Sequence, residues 1–148
     1  PEMESGLHGT GIDLAISKKE TADYTSMVSG VSFVRDGVPK IYIKPNPINA
    51  RLSFHETIET TKAMGITNPF ALFFVEDVQY QRAAIEEMER ALLPVIAMRA
   101  GSDKRARLRA IAVYIQNGTI VFPRKITAAD DASNEASKQP DCDTVEEP

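Results

Sequence analysis

Phe70-Ala71-Leu72-Phe73-Phe74-Val75 is the most hydrophobic strand-length run in the chain, held between Pro69 and the acid pair Glu76-Asp77. An uninterrupted apolar run of this kind predicts a parallel strand covered on both faces, near the centre of a sheet. Residues 78–92 then carry Ile85, Met88 and Leu92 at helical spacing with charges elsewhere, the pattern of an amphipathic helix. Pro94-Val95-Ile96-Ala97-Met98 reads as a second short strand, so the run opens a β-α-β unit. A further helix over about 103–117 is expected to bury Leu108, Ile111, Ala112 and Ile115 and to stop at Gly118, with a last short strand at 119–122.

Upstream, residues 9–17 alternate Ile12, Leu14 and Ile16 with small or polar residues, which fits a strand. Residues 24–34 and 39–44 are rich in β-branched and aromatic side chains and are separated by Arg35-Asp36-Gly37, a hairpin turn sequence. Pro45 and Pro47 break the sheet. Ser53-Phe54-His55-Glu56 has the S-x-x-E form of a capping box, so a helix should follow, with Phe54, Ile58 and Thr61 or Lys62 on one side and Gly65 as its stop. Beyond Ile126 the only large aliphatic residue is Val145, too little apolar surface to offset the entropy of ordering. Residues 127–148 are therefore expected to be a disordered acidic tail behind a domain at 1–126.

The chain has 148 residues, enough for one domain with a real core and no disulfides. It begins at Pro1, which suggests processing or a fragment of a longer polypeptide. No stretch is long and apolar enough for a membrane span and no signal pattern opens the chain, so it reads as soluble and cytoplasmic. Cys142 is the only cysteine, which excludes an internal disulfide framework and a cysteine-rich zinc site. The formal charge of −4 is uneven: seven acids and one lysine give residues 127–148 a net of −6, leaving +2 for 1–126. Arg99, Lys104, Arg105, Arg107 and Arg109 cluster against Asp103 alone, a patch that could attract phosphates or could be a solvated helix face.

Two acids stand where chemistry is expected. Asp13 interrupts an apolar first strand, and Glu76 follows directly on the apolar run. If the two strands are neighbours, both carboxylates lie near the middle of the sheet, where unpaired charge is costly. Bound Mg²⁺ or Mn²⁺ would neutralise them, since hard cations prefer oxygen ligands, and a two-ion site can both activate water and stabilise the leaving oxygen of a phosphodiester. The structural alternatives are a strand-end cap for Asp13 and a salt bridge to Arg82 or Lys104 for Glu76. Asp77 should face the other way and cap the helix beginning near Val78, while Asp23 could be a loop ligand or a turn former. The chain has no G-x-x-x-x-G-K-[ST] phosphate loop, no G-x-S-x-G elbow and no helical histidine pair.

The order of elements, three hairpin-like strands and then parallel crossovers flanked by helices, resembles that of ribonuclease H-like mixed α/β sheets. The stretch Phe74-Val75-Glu76-Asp77-Val78-Gln79-Tyr80-Gln81 resembles a family in which a strand ends in an acid and runs into V-x-Y-Q. Taken with Gly11-Ile12-Asp13-Leu14-Ala15, Ala22-Asp23-Tyr24, Gly101-Ser102-Asp103-Lys104-Arg105-Ala106-Arg107 and Asn117-Gly118-Thr119-Ile120-Val121-Phe122-Pro123, it is similar to the C-terminal nuclease domain of large terminase subunits from tailed phages and prophages, over about residues 9–123.

The resemblance implies a metal-dependent endonuclease that cuts concatemeric double-stranded viral DNA during packaging in the host cytoplasm, fused behind an ATPase domain and working with a small terminase subunit and a portal. It makes Asp13 and Glu76 catalytic metal ligands holding Mg²⁺ or Mn²⁺, two ions in the full site. Lys104 and Arg107, with Arg105 between them, become DNA-facing cations, the alternative being that they brace acids at the sheet edge. One departure matters: the family's last metal-binding aspartate sits in a D-D-x-x-D-A-like helix, whereas here Asp130-Asp131 follows Pro123 closely in polar sequence. Asp131 is then either a shifted third ligand or the sign of a missing terminal element. The competing readings are a resolvase-type nuclease and a truncated or degenerate domain that binds DNA or packaging partners without cutting.

Overall fold

The computed structural model of the chain describes residues 5–15, 24–78, 81–99, 101 and 103–124. Its elements run β1 (Leu7–Asp13), β2 (Thr25–Arg35), β3 (Val38–Ile43), β4 (Ile48–Ala50), α1 (Phe54–Thr67), β5 (Leu72–Glu76), α2 (Arg82–Arg90), β6 (Val95–Met98), α3 (Lys104–Gln116) and β7 (Ile120–Val121). They form a seven-stranded mixed sheet in the order β6-β5-β1-β2-β3-β7, with β4 paired to β2. The antiparallel β1-β2-β3 meander and the parallel β5 and β6 agree with the expected architecture.

Local chemistry explains the sharpest features. Arg35 pairs with Val38, so Asp36-Gly37 is a two-residue hairpin loop. Both residues take a positive φ, 51° and 74°, as such a turn demands. Ser53 caps α1: its hydroxyl accepts from the Glu56 amide while the Glu56 carboxylate accepts from the Ser53 amide at 2.7 Å. This reciprocal box holds the Glu56 carboxyl below the usual carboxylate range. Helix α1 does not stop at Gly65. It continues to Thr67, and Gly65 lies within it against Leu93, whose methyl a Cβ there would meet at 2.7 Å.

Period-two alternation sets the core. Thr10, Ile12 and Leu14 of the β1 segment, Thr25, Met27 and Val31 of β2, and Phe73 and Val75 of β5 are buried on one face. Helices α1 and α2 cover it with Ile58, Ala84, Ile85 and Met88. On α1 the buried stripe is Thr57, Ile58 and Thr61, leaving Phe54 half exposed. The buried Thr61 hydroxyl donates to the Thr57 carbonyl at 2.8 Å.

Several expectations are corrected. Strand β5 lies one position from the β6 edge, and it alternates fully and partly buried residues instead of being covered on both faces. Helix α2 starts at Arg82, and Leu92 is left in an exposed turn at φ 58°. The stripe Leu108, Ile111, Ala112 and Ile115 is not buried: no residue of α3 is, because the helix touches the sheet chiefly near its ends. Strand β1 begins earlier and ends at Asp13, and β4 was not anticipated. Asp23, Asp131, the rest of 16–23 and the tail from residue 125 lie outside the described residues.

Phe73 is wholly buried and Phe70 mostly exposed, although they share one apolar run. Phe73→Ala should destabilise the domain by about 3–5 kcal/mol in urea unfolding. Phe70→Ala should change stability by no more than ~0.5 kcal/mol in the same measurement.

Candidate functional site

Strands β1 and β5 pair in parallel with Gly9 beside Leu72, Thr10 beside Phe73, Gly11 beside Phe74 and Ile12 beside Val75. One further step along that register sets Asp13 beside Glu76, at the carboxyl ends of strands that stand about 4.8 Å apart. Since Ile12 and Val75 face the core, Asp13 and Glu76 share the opposite face. Neither is deeply buried. Asp13 is exposed and the Glu76 side chain keeps 33% of its surface, so the cost of leaving them unpaired is smaller than a mid-sheet position implied.

Pairing extends this row across the sheet. Met98 lies opposite Glu76 in β6, Ser26 opposite Asp13 in β2, and Asn49 opposite Ser26 in β4. The Ser26 hydroxyl donates to Asn49 Oδ1 at 3.0 Å. Hard oxygen donors therefore run side by side from Glu76 to Asn49. Ser26 and Asn49 escaped the sequence reading because only the β1-β2-β4 register brings them to Asp13.

Glu76 is engaged by Arg107 of α3, whose Nη1 donates to Oε1 at 3.0 Å, and not by Arg82 or Lys104. Lys104 and Arg105 are exposed in the first turn of α3, where Asp103 caps the helix by accepting from the Arg105 amide at 3.0 Å. Cations there oppose the helix dipole, so they are not placed for helix stability. Asp77 does not cap α2, whose N-cap is Gln81 without a side-chain bond. It keeps 23% of its side-chain surface, its amide donates to the Met98 carbonyl, and its carboxylate lies 3.8 Å from Arg99.

Gln81, in the V-x-Y-Q stretch, is the other residue whose part was not assigned. Its buried side chain donates from Nε2 to the Leu14 carbonyl at 3.3 Å, tying the start of α2 to the end of β1 just beyond Asp13. Its Oε1 has no hydrogen-bond partner among the described residues.

The site supplies two carboxylates, a hydroxyl and an amide oxygen. That donor set suits one Mg²⁺-like ion, which is commonly held by one or two carboxylates and keeps several waters. Among the described residues no group of three or more His, Cys, Asp or Glu side chains is placed to hold a metal. A cleft of about 680 Å³ lies between the ends of α1 and α2, at the amino ends of β5 and β6 and away from the acids. No described helix is long and apolar enough to cross a membrane.

No family model matches the chain, and no curated protein matches it in sequence. Solved structures do match in fold. The large terminase nuclease from thermophilic phage G20c with bound magnesium superposes with a TM-score of 0.58 at 15% identity, over 82% of this chain and 60% of that one. Its zinc-bound structure gives 0.57 at 16% identity, over 88% and 71%, and its cobalt-bound structure 0.55 at 14% identity, over 82% and 60%. The chain thus has the ribonuclease H-like fold of a large terminase nuclease, and in the magnesium-bound comparison it spans about 60% of that protein's length.

With no buried residue, α3 should be the least protected helix in hydrogen exchange. Its Arg107 bridge to Glu76 is partly exposed on both sides. Arg107→Ala should speed exchange of the first turns of α3 by up to about fivefold, the factor equivalent to the roughly 1 kcal/mol ceiling of an exposed ion pair, while α1 and α2 stay unchanged.

Proposed function

We propose that the chain is a divalent-metal-dependent endodeoxyribonuclease domain of the large-terminase type, acting on double-stranded viral DNA concatemers. The observation that supports this reading is the β1-β5 register, which pairs Ile12 with Val75 so that Asp13 and Glu76 follow at the carboxyl ends of adjacent strands, in a fold shared with a terminase nuclease. Asp13 and Glu76 are the metal ligands, with Mg²⁺ or Mn²⁺ as the fitting ions. A bound ion supplies Lewis acidity and lowers the pKa of water, the chemistry that phosphodiester hydrolysis needs. Ser26 and Asn49 extend the oxygen row beside Asp13 and can orient solvent there. A second ion requires a further carboxylate, and Asp131 is the proposed source.

Arg107 takes two roles in turn. Paired with Glu76 it keeps a carboxylate neutralised and the start of α3 near the sheet. When Glu76 turns to a cation, the guanidinium is free to meet a phosphate oxygen, for which its fork is well shaped. Lys104 and Arg105, exposed in the same helix turn, face the backbone of the same DNA. By the same reading an ATPase domain precedes this one, a small terminase subunit and a portal are its assembly partners, and a phage or prophage protein works in the cytoplasm of its bacterial host.

One observation favours a second reading, a degenerate domain that binds DNA without cutting: among the described residues only two acids meet at the site. Nicking of supercoiled plasmid separates the two. The leading reading requires cleavage that depends on Mn²⁺ or Mg²⁺ and falls at least about 100-fold in Asp13→Asn and in Glu76→Gln, with melting temperatures preserved. Equal cutting by wild type and Asp13→Asn rules out the assignment, and salt-sensitive binding without any cutting selects the second reading. Replacing Lys104 and Arg105 together by alanine should weaken DNA binding and flatten its log-log salt dependence by about two units.

A further inference from the structure

A second group of polar side chains lies on the other face of the sheet, toward its opposite end. Lys44, just after β3, is half-buried, and its ammonium donates to Nδ1 of His8 in β1 at 2.9 Å. For Nδ1 to accept, the imidazole must be neutral with its proton on Nε2. Burial and then the Lys44 charge both hold the His8 pKa below its ordinary value. No carboxylate of the described residues lies within ion-pair distance of this ammonium, and none lines the cleft it enters. A partly buried ammonium normally has an anionic partner. Here its place is taken by an imidazole that competes for protons.

The cleft measures about 290 Å³ and lies between β1 and β2 and the second half of α1. Its wall includes the Thr10 and Ser29 hydroxyls, 2.8 Å apart. One of that pair donates to the other, which leaves one hydroxyl hydrogen of the pair available for a further acceptor. Lys44 is a donor at the wall of this cleft, the hydroxyl pair keeps one more, and His8 becomes a third when it takes up a proton. A tetrahedral oxyanion accepts from several directions at once and so suits donors on separate strands, whereas a planar carboxylate is better matched by an arginine fork.

We propose that this cleft is a binding site for a phosphate monoester, held by Lys44, by His8 in its protonated form and by the Thr10-Ser29 hydroxyl pair. The site is separate from the acid pair: His8 and Asp13 stand at opposite ends of β1, and an odd number of strand steps turns their side chains to opposite sides of the sheet. The proposal therefore does not rest on the nuclease reading.

The test follows the imidazole resonances of His8 by NMR in the full chain, with His55, the only other histidine, as the internal control. Inorganic phosphate, a 5′-phosphorylated trinucleotide and the same trinucleotide without that phosphate are titrated separately. Saturable shifts at His8 and none at His55 are expected, with the His8 titration midpoint raised by about one pH unit at saturation. Saturation by inorganic phosphate identifies a free-phosphate site. A response confined to the 5′-phosphorylated oligonucleotide identifies a site for DNA ends. Lys44→Gln, which keeps most of the aliphatic stem and a folded spectrum, should weaken binding at least about tenfold. The proposal is overturned if none of the ligands moves His8 saturably, if the unphosphorylated oligonucleotide binds as well as its phosphorylated form, or if Lys44→Gln binds like wild type.

Discussion

The parallel register between β1 and β5 is the constraint on which the rest of this molecule depends. A strand has two faces, and a slip of one residue exchanges them. Thr10, Ile12, Phe73 and Val75 are almost wholly buried, so the register that buries them is strongly favoured. The same alternation then leaves Gly9, Gly11 and Asp13 of β1, and Leu72, Phe74 and Glu76 of β5, no choice but the other face. Gly9 takes part directly: a Cβ at that position would lie 2.9 Å from the Phe74 ring. Hydrophobic burial on one side thereby fixes the positions of charge on the other.

The two faces differ in more than polarity. Beneath α1 and α2 lie the buried side chains of the core, the larger aliphatic and aromatic ones each contributing roughly 1.5–3 kcal/mol on burial. Helix α3 has no fully buried residue and is tied to the sheet by polar contacts near its ends. Arg107 meets Glu76 at one end, and Lys40 donates to the Gly118 carbonyl at 2.7 Å by the other. No residue of α3 belongs to the buried core. Asp13 and Glu76 lie on the second face, and both keep access to solvent.

How much of this was legible in the sequence follows from how local each signal is. The Asp36-Gly37 turn and the Ser53 capping box are written in neighbouring residues and emerge where expected, as does the strand-helix-strand order from Leu72 to Met98, with α2 shorter than its sequence pattern suggested. Asp13 and Glu76 were legible as isolated acids against apolar surroundings. Their adjacency could only be conditional, since nothing local says which strands pair. Ser26, Asn49 and β4 were missed because they acquire meaning only through the β2 register. The α3 stripe misled for a different reason: Leu108, Ile111 and Ile115 have the period of a buried face, but period does not say whether a surface stands opposite. Gly65 was read as a terminator because a glycine needed for close packing and one needed for a helix end look alike in one dimension.

The pairing of Arg107 with Glu76 bears on how such a site can be both stable and receptive. The partners keep 40% and 33% of their side-chain surfaces exposed. A bridge so open to solvent contributes at most about 1 kcal/mol. Exchanging the guanidinium for another cation is therefore inexpensive for the fold, whose stability resides on the opposite face. A deeply buried pair would behave otherwise, because removing one partner would strand the other charge. Modest exposure thus leaves the Glu76 carboxylate neutralised by a bridge whose loss would cost the fold little. The strand pairing holds Glu76 in place, and the bridge to Arg107 adds little to that hold.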